Sequence, residues 1–416
     1  MKVLETTILI IALLFLLCYF YQFVYVAIPF FKKKKLPLPS KANSFAVLIC
    51  ARNEEEVVCE LIKSIKKQTY DKKLIKIFVM ADNCTDHTAD FARKAGAVVY
   101  ERNNKELIGK GYALDLLLKN IARDYPEGFD GYFVFDADNL LSEDYIEKMN
   151  HVFSNGYDIV TSYRNSKNFG DNWISAGYAL WFIRESKYLN GARMAIGESC
   201  AVSGTGFMFS RKVLEEQNFW PFHLLTEDIE FTIYHVIKEY KIGFADAVLY
   251  DEQPTTFAQS WRQRMRWSCG FLQVFKKHGK DLVKGIFKGN FSCYDMCMNI
   301  MPALVLMVVS IVLNLALVVM GIVQGEVGYA LMTVFETFMG LYGVVFIIGL
   351  ITVITEWKRI YVSAPKKILY TFTFPIFMMT YIPISIVSLF KKRLTWQPIK
   401  HHNKVSSVPM ESKASK

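Results

Sequence analysis

Apolar positions are distributed along this chain in two contrasting ways. At the N-terminal end, Val3 to Phe31 is almost continuously apolar, with Glu5 and Gln22 among a few polar interruptions. Three further apolar stretches close the chain, at about Met301–Val323, Tyr329–Thr355 and Ile368–Phe390. About 20 apolar residues suffice for a helix to cross a bilayer, so each stretch is long enough. The first is longer than a signal-peptide core and is followed by no small-residue cleavage site, so it reads as a transmembrane helix. Pro37 and Pro39 make a stiff linker after it.

The centre of the chain has short apolar runs separated by helical periodicity. Phe45–Cys50, Ile75–Met80, Ala97–Tyr100 and Tyr132–Phe135 read as buried strands. Helices are predicted from Glu54 to about Lys67, from Asp86 onward, and from Gly111 to Ala122. Strands alternating with helices imply an α/β sheet, mostly parallel, with ligands at the carboxyl ends of its strands. Polar residues stand there: Arg52-Asn53-Glu54, Asp82-Asn83 and Asp136-Ala137-Asp138. Further on come an aromatic-rich helix (Trp173–Tyr188), a Gly-rich strand (Ser203–Phe209), a helix (Glu227–Tyr240) and a strand (Ala247–Tyr250). Trp261–Phe275 reads as an amphipathic helix of the membrane interface. The expected organisation is therefore an N-terminal transmembrane helix (1–31), a linker (32–43), a cytosolic α/β domain (44–255), interfacial helices (256–292), a C-terminal transmembrane region (293–392) and a polar tail (393–416).

Charge sharpens this picture. The formal net charge is +10, and much of the excess flanks the apolar runs: Lys32–Lys35, Lys358-Arg359, Lys366-Lys367 and Lys391-Lys392-Arg393. Such clusters mark the cytoplasmic face of a membrane. No basic stripe is interleaved with aromatics, so nucleic acid is not expected as a partner. The eight cysteines form no CxxC pair, which suits reduced thiols and argues against zinc.

Several short motifs carry candidate chemistry. Asp136 and Asp138, two residues apart at a strand end, can share Mn²⁺ or Mg²⁺ and neutralise a diphosphate leaving group. The plain alternative is a helix cap plus a turn. Thr226-Glu227-Asp228 opens a helix, where Thr226 can cap and acids suit the dipole; Asp228 can equally serve as a general base. Gln263-Arg264-Met265-Arg266-Trp267 puts two cations and an indole within about one turn. Arg266 can bind diphosphate and Trp267 can stack on a sugar ring, or both can simply lie at headgroup level. Gly109-Lys110-Gly111 begins a helix where Lys110 can reach phosphate, though the spacing is not that of a P-loop. His151, His223 and His235 show no ligand spacing.

The joint order of these motifs, with Gly204-Thr205-Gly206, resembles the processive family 2 glycosyltransferases, the group of cellulose, chitin and hyaluronan synthases. Val79 to Trp267 is especially similar to bacterial exopolysaccharide glycosyltransferases. The resemblance implies a GT-A fold and roles by position. Glu54 and Asp82 would contact the nucleoside, and Lys110 and Asp136 would lie by the diphosphate. Asp138, with Asp136, would hold the metal. Gly204, Thr205, Gly206 and Glu227 would border the acceptor, and Asp228 would be the base. Gln263, Arg266 and Trp267 would hold diphosphate and acceptor. In many relatives the second strand ends in paired aspartates, whereas here Ala81 precedes Asp82.

The function implied is inverting transfer from a UDP-sugar, UDP-glucose first, to a growing β-glucan exported through the plasma membrane. The rivals are single addition to a lipid-linked acceptor, use of UDP-N-acetylglucosamine, and a catalytically silent scaffold. No cyclic-dinucleotide domain is expected after the last apolar run, so such regulation, like export, would use accessory proteins. The last run contains Pro375 and Pro383 and is followed by Lys391-Lys392-Arg393, Trp396 and Lys400. It is therefore expected to be broken or re-entrant, with the tail returned to the cytoplasm.

Overall fold

The computed structural model describes residues 2–32, 35–39 and 41–391, with the backbone alone at positions 2, 5 and 302–305. Lys33, Lys34, Lys392, Arg393 and the polar tail with Trp396 and Lys400 lie outside the described residues.

The N-terminal apolar run is one helix, α1 (Lys2–Phe31). Three βα units and a fourth strand follow: β1 (Phe45–Ala51), α2 (Val58–Lys66), β2 (Ile75–Asp82), α3 (Thr88–Lys94), β3 (Val98–Arg102), α4 (Lys110–Asp124) and β4 (Gly131–Asp136). The chain continues through β5 (Leu140–Leu141), α5 (Tyr145–Phe153), β6 (Ile159–Ser166), α6 (Trp173–Arg184) and α7 (Gly191–Ile196). Then come β7 (Phe207–Ser210), α8 (Arg211–Glu216), α9 (Glu227–Ile237) and β8 (Ile242–Asp251). The remainder is helical: α10 (Phe257–Phe287), α11 (Phe291–Ile300), α12 (Pro302–Gln324), α13 (Val327–Thr355), α14 (Ala364–Met379) and α15 (Tyr381–Phe390).

All eight strands form one sheet in the order β3-β2-β1-β4-β7-β6-β8-β5. β3, β2, β1 and β4 run parallel, as expected of continuous apolar strands covered on both faces. β7 then pairs antiparallel with β4 and β6, while β6 and β8 are parallel. The sheet is mixed but mostly parallel. Its core is the buried series Phe45–Ile49, Phe78–Met80 and Phe133–Phe135 between helices such as α2 and α4.

Four details differ from the sequence-based expectation. The Gly-rich segment becomes a strand only at Phe207, because Gly204 and Gly206 take φ values of +74° and +67°, outside the extended region. The aromatic-rich helix changes to a π-helical turn, Glu185–Asn190, before α7. β6 was not anticipated, because its Thr161–Ser166 half is polar yet largely buried. The interfacial helix is longer than predicted, and the boundary expected at position 292 falls inside α11. α11 belongs to the base of the α/β domain. Its Asp295 is fully buried and takes hydrogen bonds from Arg193 Nε (2.7 Å) and Nη2 (2.8 Å) and from the hydroxyls of Tyr21 (3.0 Å) and Tyr25 (2.9 Å). Such a buried pair is tolerable only when both partners are saturated, and here it ties α1 to the domain.

Among the described residues four helical segments are long and apolar enough to cross a membrane: Thr6–Phe31, Leu306–Gln324, Val327–Thr355 and Ala364–Phe390. They point to a membrane protein. The last one is divided at Thr380. Pro383 supplies no N–H at this division, and the fully buried Arg264 of α10 reaches it, donating Nη1 to Phe377 O (3.1 Å) and Thr380 Oγ1 (2.7 Å). The negative end of α14 thus meets a cation. Both halves of the segment stay against the α/β domain and its interfacial helix. Lys366 at the start of α14 donates to Gly170 O (2.7 Å), and Ile384 of α15 packs with Met265 and Cys269 of α10. Arg359, just before α14, clamps Asp246 at 2.7 and 2.8 Å.

Candidate active site

The parallel strands deliver polar residues to one edge of the sheet. Register places Cys50, near the end of β1, beside Asp136 at the end of β4, and Ala51 beside Ala81 of β2. Glu54 follows β1, and its backbone N–H donates to Thr88 Oγ1 (2.8 Å). Asp82 closes β2 and is buried. Its Oδ1 accepts from Arg102 Nη1 (2.6 Å) and Asn83 Nδ2 (2.9 Å). Arg102 ends β3 directly opposite Asp82 in the ladder. The sequence reading missed it; only the pairing of β2 with β3 identifies it.

Lys110 is the first residue of α4, and its ammonium reaches across the site. It donates to Asp136 Oδ1 (2.5 Å) and to Gly204 O (2.8 Å). Burial lowers its pKa, but the charges of Asp136 and Glu227 outweigh that and hold it above the usual lysine value. The loop before β7 is locked to the end of β4, because Thr205 Oγ1 accepts from the Asp136 N–H (2.9 Å). Gly206 has no room for a side chain: a Cβ there would lie 1.8 Å from Leu249. Gly204 donates its N–H to Asp228 Oδ2 at 2.6 Å. Lys110, Asp136, Gly204 and Asp228 therefore converge on one point.

Glu227 and Asp228 open α9. Thr226 occupies the N-cap position but makes no capping bond; its buried hydroxyl faces Gly270 of α10. Burial, with the neighbouring Asp228 charge, pushes Glu227 up to about 7 against the opposing charges of Lys110 and Arg266. Burial likewise raises Asp228, despite the N–H groups and cations around it. A carboxylate raised in this way is a better proton acceptor at neutral pH. Arg266 donates to Leu225 O (3.0 Å), just ahead of this pair. Gln263 Oε1 is buried with no hydrogen-bond partner among the described residues, leaving an acceptor for a ligand. Trp267 lies edge-on to Tyr178 (5.7 Å) and Phe182 (6.0 Å) of α6.

Asp138 is buried, and its Oδ2 accepts from the Glu252 N–H at 2.9 Å. Among the described residues no group of three or more His, Cys, Asp or Glu side chains is placed to hold a metal. Asp136 and Asp138 fit the other type of site, in which a hard divalent ion is held by one or two carboxylates plus substrate phosphates. Three histidines named from the sequence are held by local contacts. His235 is buried against Phe231 O (2.8 Å), His223 stacks on Tyr112, and His151 meets Pro37 O (2.6 Å). All eight cysteines are free thiols.

A mixed sheet with acids at the ends of parallel strands, facing a carboxylate at a helix start, defines a GT-A-type sugar transferase. Residues 42–270, more than half of the chain, match the family model described as glycosyltransferase like family 2, and the chain belongs to that family. It is 25% identical over 307 residues to the probable glycosyltransferase YdaM of Bacillus subtilis (strain 168), covering 65% of this chain and 67% of that one. It is 26% identical over 275 residues to a beta-monoglucosyldiacylglycerol synthase of Nostoc sp. (63% of this chain, 56% of that one). It is also 26% identical over 243 residues to the poly-beta-1,6-N-acetyl-D-glucosamine synthase of Staphylococcus aureus (strain COL) (55% and 54%). The chain thus spans little more than half the length of the last two. Among solved structures, the mannosyltransferase PcManGT from Pyrobaculum calidifontis, in complex with GDP-Man and Mn²⁺, superposes with a TM-score of 0.61 at 14% identity. That match covers 94% of this chain and 100% of that chain.

Proposed function

We propose that this family 2 glycosyltransferase works at the plasma membrane with its α/β domain in the cytoplasm. It moves glucose from UDP-glucose, with inversion, onto the hydroxyl end of a β-glucan that is then exported. The observation that carries this reading is the single cluster in which Lys110 bridges Asp136 and Gly204 while Gly204 donates to Asp228. On this reading the short link joins the diphosphate side of a displacement to its base side.

Asp82, oriented by Arg102, and Glu54 receive the nucleoside. Lys110 and Arg266 face the diphosphate. Asp138 and Asp136 would hold Mn²⁺ or Mg²⁺, which supplies positive charge to the departing diphosphate. Asp228 takes the proton of the acceptor hydroxyl as that oxygen bonds to the anomeric carbon and the bond to UDP breaks. Trp267 gives the acceptor ring an apolar face, and Gln263 offers it or the diphosphate a hydrogen bond. No covalent intermediate is needed.

A second reading is supported by the similarity to a glucosyldiacylglycerol synthase and by the lipid-facing helices: one sugar added to a lipid. Use of UDP-N-acetylglucosamine is the corresponding alternative for the donor. Purified protein in nanodiscs, given each radiolabelled UDP-sugar with Mn²⁺, separates them. Label from UDP-glucose in a long β-glucanase-sensitive product is expected. Label confined to a single-sugar lipid overturns the polymer reading, and label from UDP-N-acetylglucosamine alone overturns the donor.

A further inference from the structure

A small cavity lies behind the Gly204 loop, lined by Arg164, Phe182, Glu185, Asn190, Ser203 and Thr205 among others. None of the motifs described above contributes Arg164, Phe182, Glu185 or Asn190, and the reaction as derived so far makes no use of them. The cavity holds roughly one water-sized group.

Its walls are built rather than incidental. Glu185 begins the π-helical turn that interrupts α6, a local distortion that re-aims a side chain. Its carboxylate accepts a hydrogen bond from the Ser203 hydroxyl. Burial raises the Glu185 pKa in spite of that bond and of Arg193, Arg164 and Arg184 nearby. Arg164 is held from the opposite side: Nε donates to Asp251 Oδ2 (2.5 Å), Nη1 donates to Ser203 O (3.2 Å), and the guanidinium lies 3.6 Å over the Phe182 ring. Phe182 in turn meets Trp267. Asp251 already balances the Arg164 charge, so the cavity presents one acid and one neutralised cation. That combination suits a neutral hydroxyl, which donates to a carboxylate and accepts from a guanidinium, and it does not suit an anion.

The bare face of Gly204 lies between Arg164 of this cavity and the base Asp228. A Cβ on Gly204 would sit 3.6 Å from Arg164 Nη1 and 3.9 Å from Asp228 Oδ2. Two groups within 4 Å of one point are within reach of adjacent hydroxyls on one sugar or polyol.

We infer that Glu185 and Arg164 form an acceptor-selecting subsite, which binds a second hydroxyl of a neutral polyol while Asp228 deprotonates the first. This rests on the transferase reading above and names which part of the acceptor is read. A site built to hydrogen-bond a hydroxyl rejects an analogue lacking it, because its own buried polar groups are left unpaired.

The test uses the full chain in detergent with UDP-glucose. The acceptors are octyl β-glucoside, its four monodeoxy analogues and dioctanoylglycerol. For the wild type, removal of one particular glucoside hydroxyl is expected to lower kcat/KM by about 100-fold or more. In Glu185→Gln that discrimination should shrink at least about tenfold, with the acceptor KM raised and the UDP Kd within about twofold. Arg164→Lys should do the same to a smaller extent. A merely structural role would alter UDP affinity and all acceptors alike, and that result overturns the inference. So does unchanged discrimination in Glu185→Gln, which would leave the cavity as the seat of a buried water, and so does transfer to dioctanoylglycerol alone. Absence of transfer to every acceptor overturns instead the proposed use of UDP-glucose.

Discussion

The two halves of the sheet solve different problems. On the proposed mechanism the half made by β1 to β4 would handle the donor with local means: Glu54 follows β1, Asp82 closes β2, Lys110 opens the helix after β3 and Asp136 closes β4. The half made by β5 to β8 would handle the acceptor with distant means. Gly204 and Asp228 are 24 residues apart, and the interfacial α10 must pack on Thr226 before Arg266 can face the carboxylates. A diphosphate is one fixed chemical object, and a βα unit presents N–H groups and acids to it directly. An acceptor varies from one transferase to another, and a surface assembled from loops and separate helices can vary without disturbing the parallel core. On this view loss of Asp82 or Lys110 should appear in UDP affinity, and loss of Asp228 or Trp267 in transfer alone; Arg266, carried by α10 but facing the diphosphate, belongs with the donor residues.

The largest expected effect probes the acceptor half. Asp228→Asn is nearly isosteric and removes the proton acceptor, so transfer should fall by about 10²–10⁴-fold. UDP affinity should stay within about threefold, since the neighbouring Lys110 and Arg266 are untouched. If calorimetry showed UDP binding lost while transfer survived, the division between the halves would be reversed.

Next is the donor half. Arg102→Met strips the buried Asp82 of its cation, and breaking one side of a buried pair costs about 3–5 kcal/mol. The expected result is a UDP Kd raised by about 10–100-fold and a lower melting temperature, with Arg102→Lys recovering part of each. Unchanged UDP affinity in a folded Arg102→Met protein would remove Asp82 from the nucleoside site.

A smaller effect is expected of Trp267→Ala. The indole packs on Tyr178 and Phe182, and its loss removes an apolar face beside the acceptor. The acceptor KM should rise by about tenfold while UDP affinity holds. Equal losses in both would mean that Trp267 only supports α6.

How much of this was legible in the sequence follows the same division. The four parallel strands were readable because they are continuous apolar runs, and their polar ends fell where strand ends place ligands. The motif Asp136-Ala137-Asp138 needed no tertiary information. In the other half the motifs were readable, but some of the elements that carry and surround them were not. β6 buries Thr161, Ser162, Asn165 and Ser166, so its pattern is that of a loop. The segment from Ser203 reads as a strand until the glycines are known to be left-handed. Arg102, Arg164 and Glu185 carry no local signature at all, because their partners Asp82, Asp251 and Ser203 lie 20, 87 and 18 residues away. The last segment is divided at Thr380 although α14 runs through Pro375, and Arg264, which receives the division, carried no signal of that role in the sequence.

The smallest expected effect is on stability and concerns Glu227, which sits where the halves meet. Its folded pKa of about 7 lies above its ordinary value of 4.5, because burial and Asp228 disfavour the charged form. The folded protein therefore holds this proton more tightly than the unfolded chain does. The resulting stabilisation is complete below about pH 4.5 and is lost as pH rises through about 7. The melting temperature of the ligand-free protein should then fall by a few degrees between pH 5 and pH 8. Asp228 is raised in the same direction and adds to the slope from lower pH, so the slope will not vanish in a variant of one residue. Glu227→Gln cannot ionise and should flatten the upper part of the curve, matching wild type near pH 5 and exceeding it near pH 8. Differential scanning fluorimetry across that range decides the point: parallel curves for the two proteins would place Glu227 in water rather than beside Asp228, and would open the boundary between donor and acceptor halves to solvent.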